Sequence, residues 1–405
     1  MHIKSDYFRI GYCIIVVLAI GCQKAVSPPP STGSPSAPSD TTSTKQTTPA
    51  TPVDTVMTIY VGKGTGLYAV NAQTGAIKWS TDLGDLVGNS PLYYQGMVYV
   101  STSLQSGLIL HAVDTAGKQQ WTVNFNTSID VGPSDVYAAN GMLYLCSQFT
   151  PPVAVDAQTG AIRWTFPAAQ LNPLGSGGGT ICWNQGILFF LDAAELYSID
   201  PASGQVNWTI NDEATTLPAF TGNKVILGWQ NGAIEAVNPH TAAVIWQQPE
   251  TGYYPSVESI SMNTAFGNVY MYEGGSMPVY DTTNGTVKFN TFAPGDALTP
   301  VHCTDSLLFV SSPEGNVTCL NALTGAQKFS FTMSSTAPLI TTYALSGTSA
   351  LNNVFYFNYD YLYAKSISTQ QTIWKTMLEN NDGWSYSTPC IVTKSGKVYR
   401  GGNTF

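Results

Sequence analysis

The chain has 405 residues, of which 10% are charged, 43% hydrophobic and 12% aromatic, and its net charge is −9. Ordinary soluble domains carry roughly a quarter of their residues as charged groups; a chain this long and this apolar can bury a large core, and its acidic balance repels nucleic acid. The low charge suits many strands covered on both faces, so it is not by itself the mark of a membrane protein.

Residues 1–21 are expected to be an export signal. Lys4 and Arg9 precede an apolar run at 10–20, about eleven residues, which is the length of a signal-peptide hydrophobic region and too short to cross a bilayer. The segment Leu18-Ala19-Ile20-Gly21-Cys22 resembles a bacterial lipobox, although Ala19 stands where that pattern prefers Leu. The resemblance implies that Cys22 is lipid-modified and begins the mature chain, and several acyl chains would anchor it firmly.

Residues 22–56 follow as a lipid-anchored linker. Pro, Ser and Thr dominate 26–55 and apolar side chains are nearly absent, so the tract cannot pay the entropy of packing. Its prolines extend it, at about 3 Å per residue, into a stalk some tens of ångströms long. Its Ser/Thr density also suits O-glycosylation.

From residue 57 to 405 one pattern recurs. Trp79, Trp121, Trp164, Trp208, Trp246, Phe289, Phe329 and Trp374 are spaced 38 to 45 residues apart, the length of one four-stranded propeller blade. In the first copy the runs around 59–61, 67–70 and 76–79 are β-rich and broken by turn residues. The fourth strand comes from stretches such as 90–100, where Gln95-Gly96 forms a tight turn. An Asx residue opens the last turn of each unit: Asn71, Asp114, Asp156, Asp200, Asn238, Asp281 and Asn321. Gly75, Gly117, Gly160, Gly204, Gly285 and Gly325 stand four residues before the aromatic, as a left-handed position requires. The fifth copy has Ala242 there, and the eighth has Ser366 and Gln370; both are expected to be weakened turns in real blades.

These residues resemble the PQQ-type repeat of quinoprotein-like propellers. The resemblance implies an all-β fold, an eight-bladed β-propeller of four-stranded blades. The chain starts at a second strand and ends on first-strand-like segments at 387–393 and 397–400, so pairing of N- and C-terminal strands is expected to close a monomeric ring and remove exposed edges.

The resemblance also raises quinone-dependent dehydrogenase chemistry. Such enzymes hold the quinone against adjacent cysteines and place a calcium-bound carboxylate near the disc axis; this chain has no Cys-Cys pair, and no C-x-x-C-H, G-x-S-x-G or H-E-x-x-H motif. Neither PQQ nor calcium, nor any metal, is therefore expected, and no catalytic residue is assigned. Beyond Cys13 and Cys22, the cysteines at 146, 182, 303, 319 and 390 are expected to be small buried hydrophobes.

What interrupts the repeat points to binding. Loops joining strands two and three, and loops between blades, share one face of the disc. Asp85, Asp135, Asp192, Glu195, Glu213 and Asp382 are among the carboxylates on that face, against one evident cation, Lys63. Trp229, Tyr253, Tyr254, Tyr272, Trp384 and Tyr386 add exposed aromatic anchors of the kind found in binding surfaces. Lys118, Lys224, Lys394 and Lys397 lie on the opposite face. Size, anchor and repeat resemble the outer-membrane assembly lipoprotein family BamB, which implies a non-catalytic scaffold on the outer membrane whose acidic aromatic face takes an envelope protein. The long stalk departs from that family, and a surface or periplasmic carbohydrate- or ligand-binding propeller is the alternative.

Overall fold

In a computed structural model, the described residues are 56–103, 107–127, 135–147, 150–167, 180–192, 195–211, 218–229, 233–249, 260–273, 276–292, 302–304, 306–311, 316–332, 347–350, 352–358, 361–378, 387–400 and 403–404. They form seven four-stranded antiparallel sheets and one six-stranded sheet. Each sheet is a blade, numbered here by its outer aromatic from Trp79 in blade 1 to Trp374 in blade 8. Cys22 and its flanking signal and linker lie outside the described residues.

Blade 2 shows the unit. Leu92–Tyr94 is innermost, followed outward by Met97–Thr102, Ile109–Asp114 and Gln119–Asn124. Gln95 and Gly96 both have positive φ, 49° and 84°, so the first hairpin has the two-residue turn whose twist matches its strands. The third strand is covered on both faces, whereas the outermost alternates between half-buried and exposed positions. That alternation sends every second side chain, Trp121 among them, against the next blade.

Those outward rings hold the disc together. The indole N–H of Trp79 donates to Thr115 O at 2.9 Å, Trp164 to Pro201 O at 2.8 Å, Trp208 to Pro239 O at 3.0 Å and Trp246 to Thr282 O at 3.1 Å. Each acceptor belongs to the last turn of the following blade. The repeat glycine of that turn lies beneath the ring: a Cβ on Gly204 would stand 2.7 Å from Trp164, and one on Gly160 would stand 3.0 Å from Trp121. Two constraints meet at one position, since Gly160 and Gly204 both also have φ +74°, where a side chain is strained. The Asx residue preorganises the turn, as where Asn71 Oδ1 accepts from Gln73 N at 2.9 Å and Thr74 N at 3.1 Å. The drifted copies keep this shape without glycine, with φ of 58° at both Ala242 and Gln370.

Ring closure is doubly made. On the outside, Trp374 of blade 8 donates to Ala72 O of blade 1 at 3.1 Å, and Thr376 donates to Gly75 O. On the inside, Cys390–Thr393 pairs antiparallel with Val56–Lys63 as the first strand of blade 1. The sheet then exceeds the expected four strands, because Val398–Arg400 and Asn403–Thr404 add to the inner edge of Cys390–Thr393. Cys146, Cys182, Cys319 and Cys390 are buried thiols outside any disulfide; burial pushes the Cys319 thiol up to about 12 and Cys390 up to about 11.

Gly160→Val is expected to lower stability by about 2 kcal/mol, from left-handed strain and the clash with Trp121. Gln370→Gly removes side-chain strain at a position already left-handed and should be neutral or stabilising by up to about 1 kcal/mol. Thermal melts of the two variants check both signs.

Candidate interaction face

The face that carries the interblade loops is built from two hydrogen-bonded tiers. In blade 1 the hairpin between Val56–Lys63 and Gly66–Asn71 receives the following loop, with Val87 N donating to Gly64 O and Leu83 N to Thr65 O, both at 2.8 Å. The same loop then ties to blade 2, where Gly88 N donates to Ser101 O at 3.0 Å and Ser103 N to Leu86 O at 2.9 Å. Expected partners of this face are thus brought onto one surface, but several are folded inward.

Lys63 is 4% exposed, Asp85 5% and Asp192 6%. The expectation that Asp85 and Asp192 stand in an exposed acidic field facing Lys63 is corrected, since all three side chains are buried. Asp135 faces Arg400, with its Oδ1 2.9 Å from an Arg400 guanidinium nitrogen. Burial raises the Asp135 carboxyl above the ordinary carboxylate range, opposed by the Arg400 charge and by the Ser90 amide that donates to it. Glu195 is half-buried and accepts from the Tyr197 hydroxyl.

Trp229 is a second correction. It is 7% exposed and packs in one core cluster with Trp183, Phe189, Phe220 and Tyr197, so it is no solvent-facing anchor. The loop position made it look exposed, but the buried cluster that holds Phe189 and Phe220 also takes in this ring. Its indole N–H has no partner, a cost that burial of the ring offsets. Tyr272 lies in the strand Asn268–Glu273, its backbone paired with Ser261. Tyr253, Tyr254, Glu213, Asp382, Trp384 and Tyr386 lie outside the described residues.

The opposite face keeps its cations. Lys118, Lys394 and Lys397 are exposed, and Lys224 is half-buried. At the rim, basic residues before the blade aromatics meet the Asx turns: Arg163 pairs with Asp156, and Lys288 with Asp281 at 2.9 Å. The Arg163 and Lys288 hydrogen bonds bring these two carboxyls down to about 2. Among the described residues, no three His, Cys, Asp or Glu side chains gather as a metal site would need.

Sequence reasoning missed one group, the buried polar cluster at the inner rim. Arg400 is 4% exposed and donates to Val136 O at 2.7 Å and to Ser90 O while pairing with Asp135. Thr388 N donates to Ser90 Oγ at 2.9 Å. A lone arginine in the last, weakly patterned segment is the one signal that pointed there.

Comparison with known proteins gives a consistent family. Residues 30–110 and 105–274 match the family model described as outer membrane protein assembly factor BamB. The BamB of Moranella endobia (strain PCIT) is 24% identical over an alignment 235 residues long that covers 51% of this chain and 58% of that protein, so the chain spans little more than half of that relative's length. BamB from Moraxella catarrhalis superposes with a TM-score of 0.58 at 14% identity, covering 77% of this chain and 96% of that one. A quinohemoprotein alcohol dehydrogenase from Pseudomonas putida HK5 also superposes, with a TM-score of 0.55 at 14% identity, covering 76% of this chain and 68% of that one. At such identities the solved structures share the fold alone.

The burial of Trp229 separates packing from binding. Trp229→Ala is expected to cost about 3–5 kcal/mol as a core cavity, whereas Trp229→Phe, which drops the unpaired N–H and keeps a ring, should cost under about 1.5 kcal/mol. Denaturant titration of both variants checks this, and a stable Trp229→Ala protein would return the residue to the surface.

Proposed function

The chain belongs to the BamB family of outer membrane protein assembly factors, and from that membership we propose that it is a non-catalytic cell-envelope lipoprotein whose disc is a protein-binding scaffold. The observation that carries this reading is the family match, which runs from residue 30 in the stalk to residue 274 in blade 6. Cys22 holds the protein to the outer membrane by its acyl chains, and residues 22–56 stand the disc off the surface. The partner is an envelope protein of the outer-membrane assembly machinery, met through the loop face. Glu213, Asp382, Tyr253, Tyr254, Tyr272, Trp384 and Tyr386 are the residues assigned to that contact, without Trp229.

The role proposed needs no quinone, and the sequence carries neither the adjacent cysteine pair nor the haem-attachment motif of quinone-dependent dehydrogenases. Val398–Arg400 and Asn403–Thr404 add to the inner edge of blade 1, and the buried Arg400 there is engaged with Asp135 and two carbonyls. One feature favours a second reading: a Pro/Ser/Thr stalk of this length suits a carbohydrate- or ligand-binding disc displayed away from the membrane.

Cys22→Ser is expected to release the protein from the membrane fraction and abolish labelling by a fatty-acid analogue. Mild crosslinking of the anchored wild type followed by pull-down should then recover an outer-membrane barrel-assembly protein. Recovery of envelope glycan without that protein would replace the scaffold reading by the ligand-binding one.

Purified protein supplied with PQQ and Ca²⁺ is expected to reduce no dye with alcohols or aldose sugars. Sustained quinone-dependent turnover would make it an enzyme.

A further inference from the structure

Blade 8 departs from the repeat where it meets blade 7, and it does so with lysine. Lys365 in the third strand pairs with Thr372, the register at which Val70 pairs with Ile77 in blade 1 and Leu320 with Gln327 in blade 7. In each of blades 1 to 7 that place is taken by a buried aliphatic or tyrosine side chain. Lys375 follows the outer aromatic directly, where the other seven blades carry an uncharged residue such as Ser80 or Ser330. Phe331 of blade 7 is the third departure. At its place in other blades Thr81, Thr291 and Thr376 donate to the last turn of the following blade, at Gly117 O, Gly325 O and Gly75 O. A phenylalanine has no such hydroxyl, and the turn it faces carries Gln370 in place of the glycine.

The three departures combine into cations mounted on rings. The Lys365 ammonium lies 4.5 Å from the centroid of Phe331, and that of Lys375 lies 5.1 Å from the centroid of Tyr361. Tyr363 stacks on Tyr356 at 5.1 Å and tilts against Tyr361 at 6.1 Å. Tyr361, Tyr363 and Lys365 alternate along one strand and so share its face; all three are half-buried, as is Phe331, and Lys375 is exposed. Arg163 and Lys288 elsewhere on the rim meet carboxylates, but neither Lys365 nor Lys375 does among the described residues. Burial lowers Lys365 from the ordinary lysine value, the direction taken by an ammonium without a counter-ion. We propose that this junction of blades 7 and 8 binds an acidic sugar, its carboxylate held by Lys365 and Lys375 and its ring beside Tyr361 and Tyr363. Ammonium groups that lack a carboxylate select an anion, and charge-assisted hydrogen bonds to it are the strong kind. Mounting on a ring restricts each cation in advance, so less freedom is lost on binding. The half-buried setting leaves one side of the ligand in water, which favours a pyranose, apolar on its C–H face and polar at its hydroxyls, over a wholly apolar acid that needs an enclosed cavity. A net charge of −9 disfavours a long polyanion, so the ligand is a single uronate or a short oligomer. A lysine where seven blades bury an apolar group opposes packing, and a break in a local rule of that kind is expected at a functional site.

Isothermal titration calorimetry of the full-length protein in neutral detergent tests the site, with digalacturonate as the probe and its uncharged counterpart galactobiose as the control. Digalacturonate is expected to bind and galactobiose to give no heat. Lys365→Leu and Lys375→Ser install the residues that blade 7 carries at these places, Leu320 and Ser330. Each should weaken digalacturonate about tenfold, as the loss of one charged hydrogen bond does. Lys365→Leu should also keep or raise the melting temperature, because an apolar side chain suits that place in the other blades; a lysine that merely supports the fold would lower it. Lys118→Ser removes the same charge from blade 2 and should leave the affinity unchanged. The proposal is overturned if digalacturonate gives no heat, if galactobiose binds as well, if inorganic phosphate displaces the probe at equal concentration, or if both lysine variants keep wild-type affinity. Lys375→Ser decides the matter should Lys365→Leu not fold. The junction is separate from the loop face, so the result does not depend on which partner the pull-down recovers.

Discussion

An aromatic ring laid over a left-handed glycine turn of the next blade is the contact on which the disc depends. It explains why the period is kept while the rest of the unit drifts. The ring needs a strand end that delivers it at the outer rim, the turn favours an Asx residue and needs a left-handed backbone, and at Gly75, Gly117, Gly160, Gly204, Gly285 and Gly325 the ring's footprint crowds any Cβ. Each requirement restricts one position in the unit, and together they restrict the distance between them. Because each ring reaches forward by one blade, the last must reach the first, and Trp374 over Gly75 makes the outer lock of the closed disc. Blades can therefore tolerate Ala242 or Gln370 in a turn, where the backbone shape persists, more readily than they could tolerate the loss of a ring.

That dependence also decides what was legible in the sequence. The repeat, the Gln95-Gly96 hairpin and the closing strand at 390–393 were legible because each is a local steric rule copied from blade to blade. Burial of Lys63, Asp85 and Asp192 was not. Strand order assigns these residues to the correct face, but whether a side chain faces water depends on how the next loop folds over it, as Val87 N does on Gly64 O. Trp229 was not legible for a related reason: a tryptophan in a short loop has the same pattern whether it meets solvent or joins a buried apolar cluster such as the one that holds Phe189 and Phe220. Arg400 is a single residue whose partners lie 264 and 310 positions away, and no periodicity can announce a contact made once.

The shared blade explains the shared superposition with both an assembly factor and an alcohol dehydrogenase. Outer locks and buried third strands recur in any disc built this way, so they carry no information about chemistry. Function has to reside where the eight copies stop being equivalent. In this chain the largest departures among the described residues are the loop face, where Asp85 and Asp192 are buried, and the inner edge of blade 1, to which Val398–Arg400 and Asn403–Thr404 add.

These two departures bear on each other. Ser90 ends the loop that closes the blade 1 face, and it is also the hub of the buried polar cluster at the inner rim: its carbonyl takes Arg400, its hydroxyl takes the Thr388 amide and its own amide reaches Asp135. The segment 83–91 thus spans from the loop face at Val87 to the inner rim at Ser90. The outer locks lie at the opposite edge of each sheet and share no residue with this cluster.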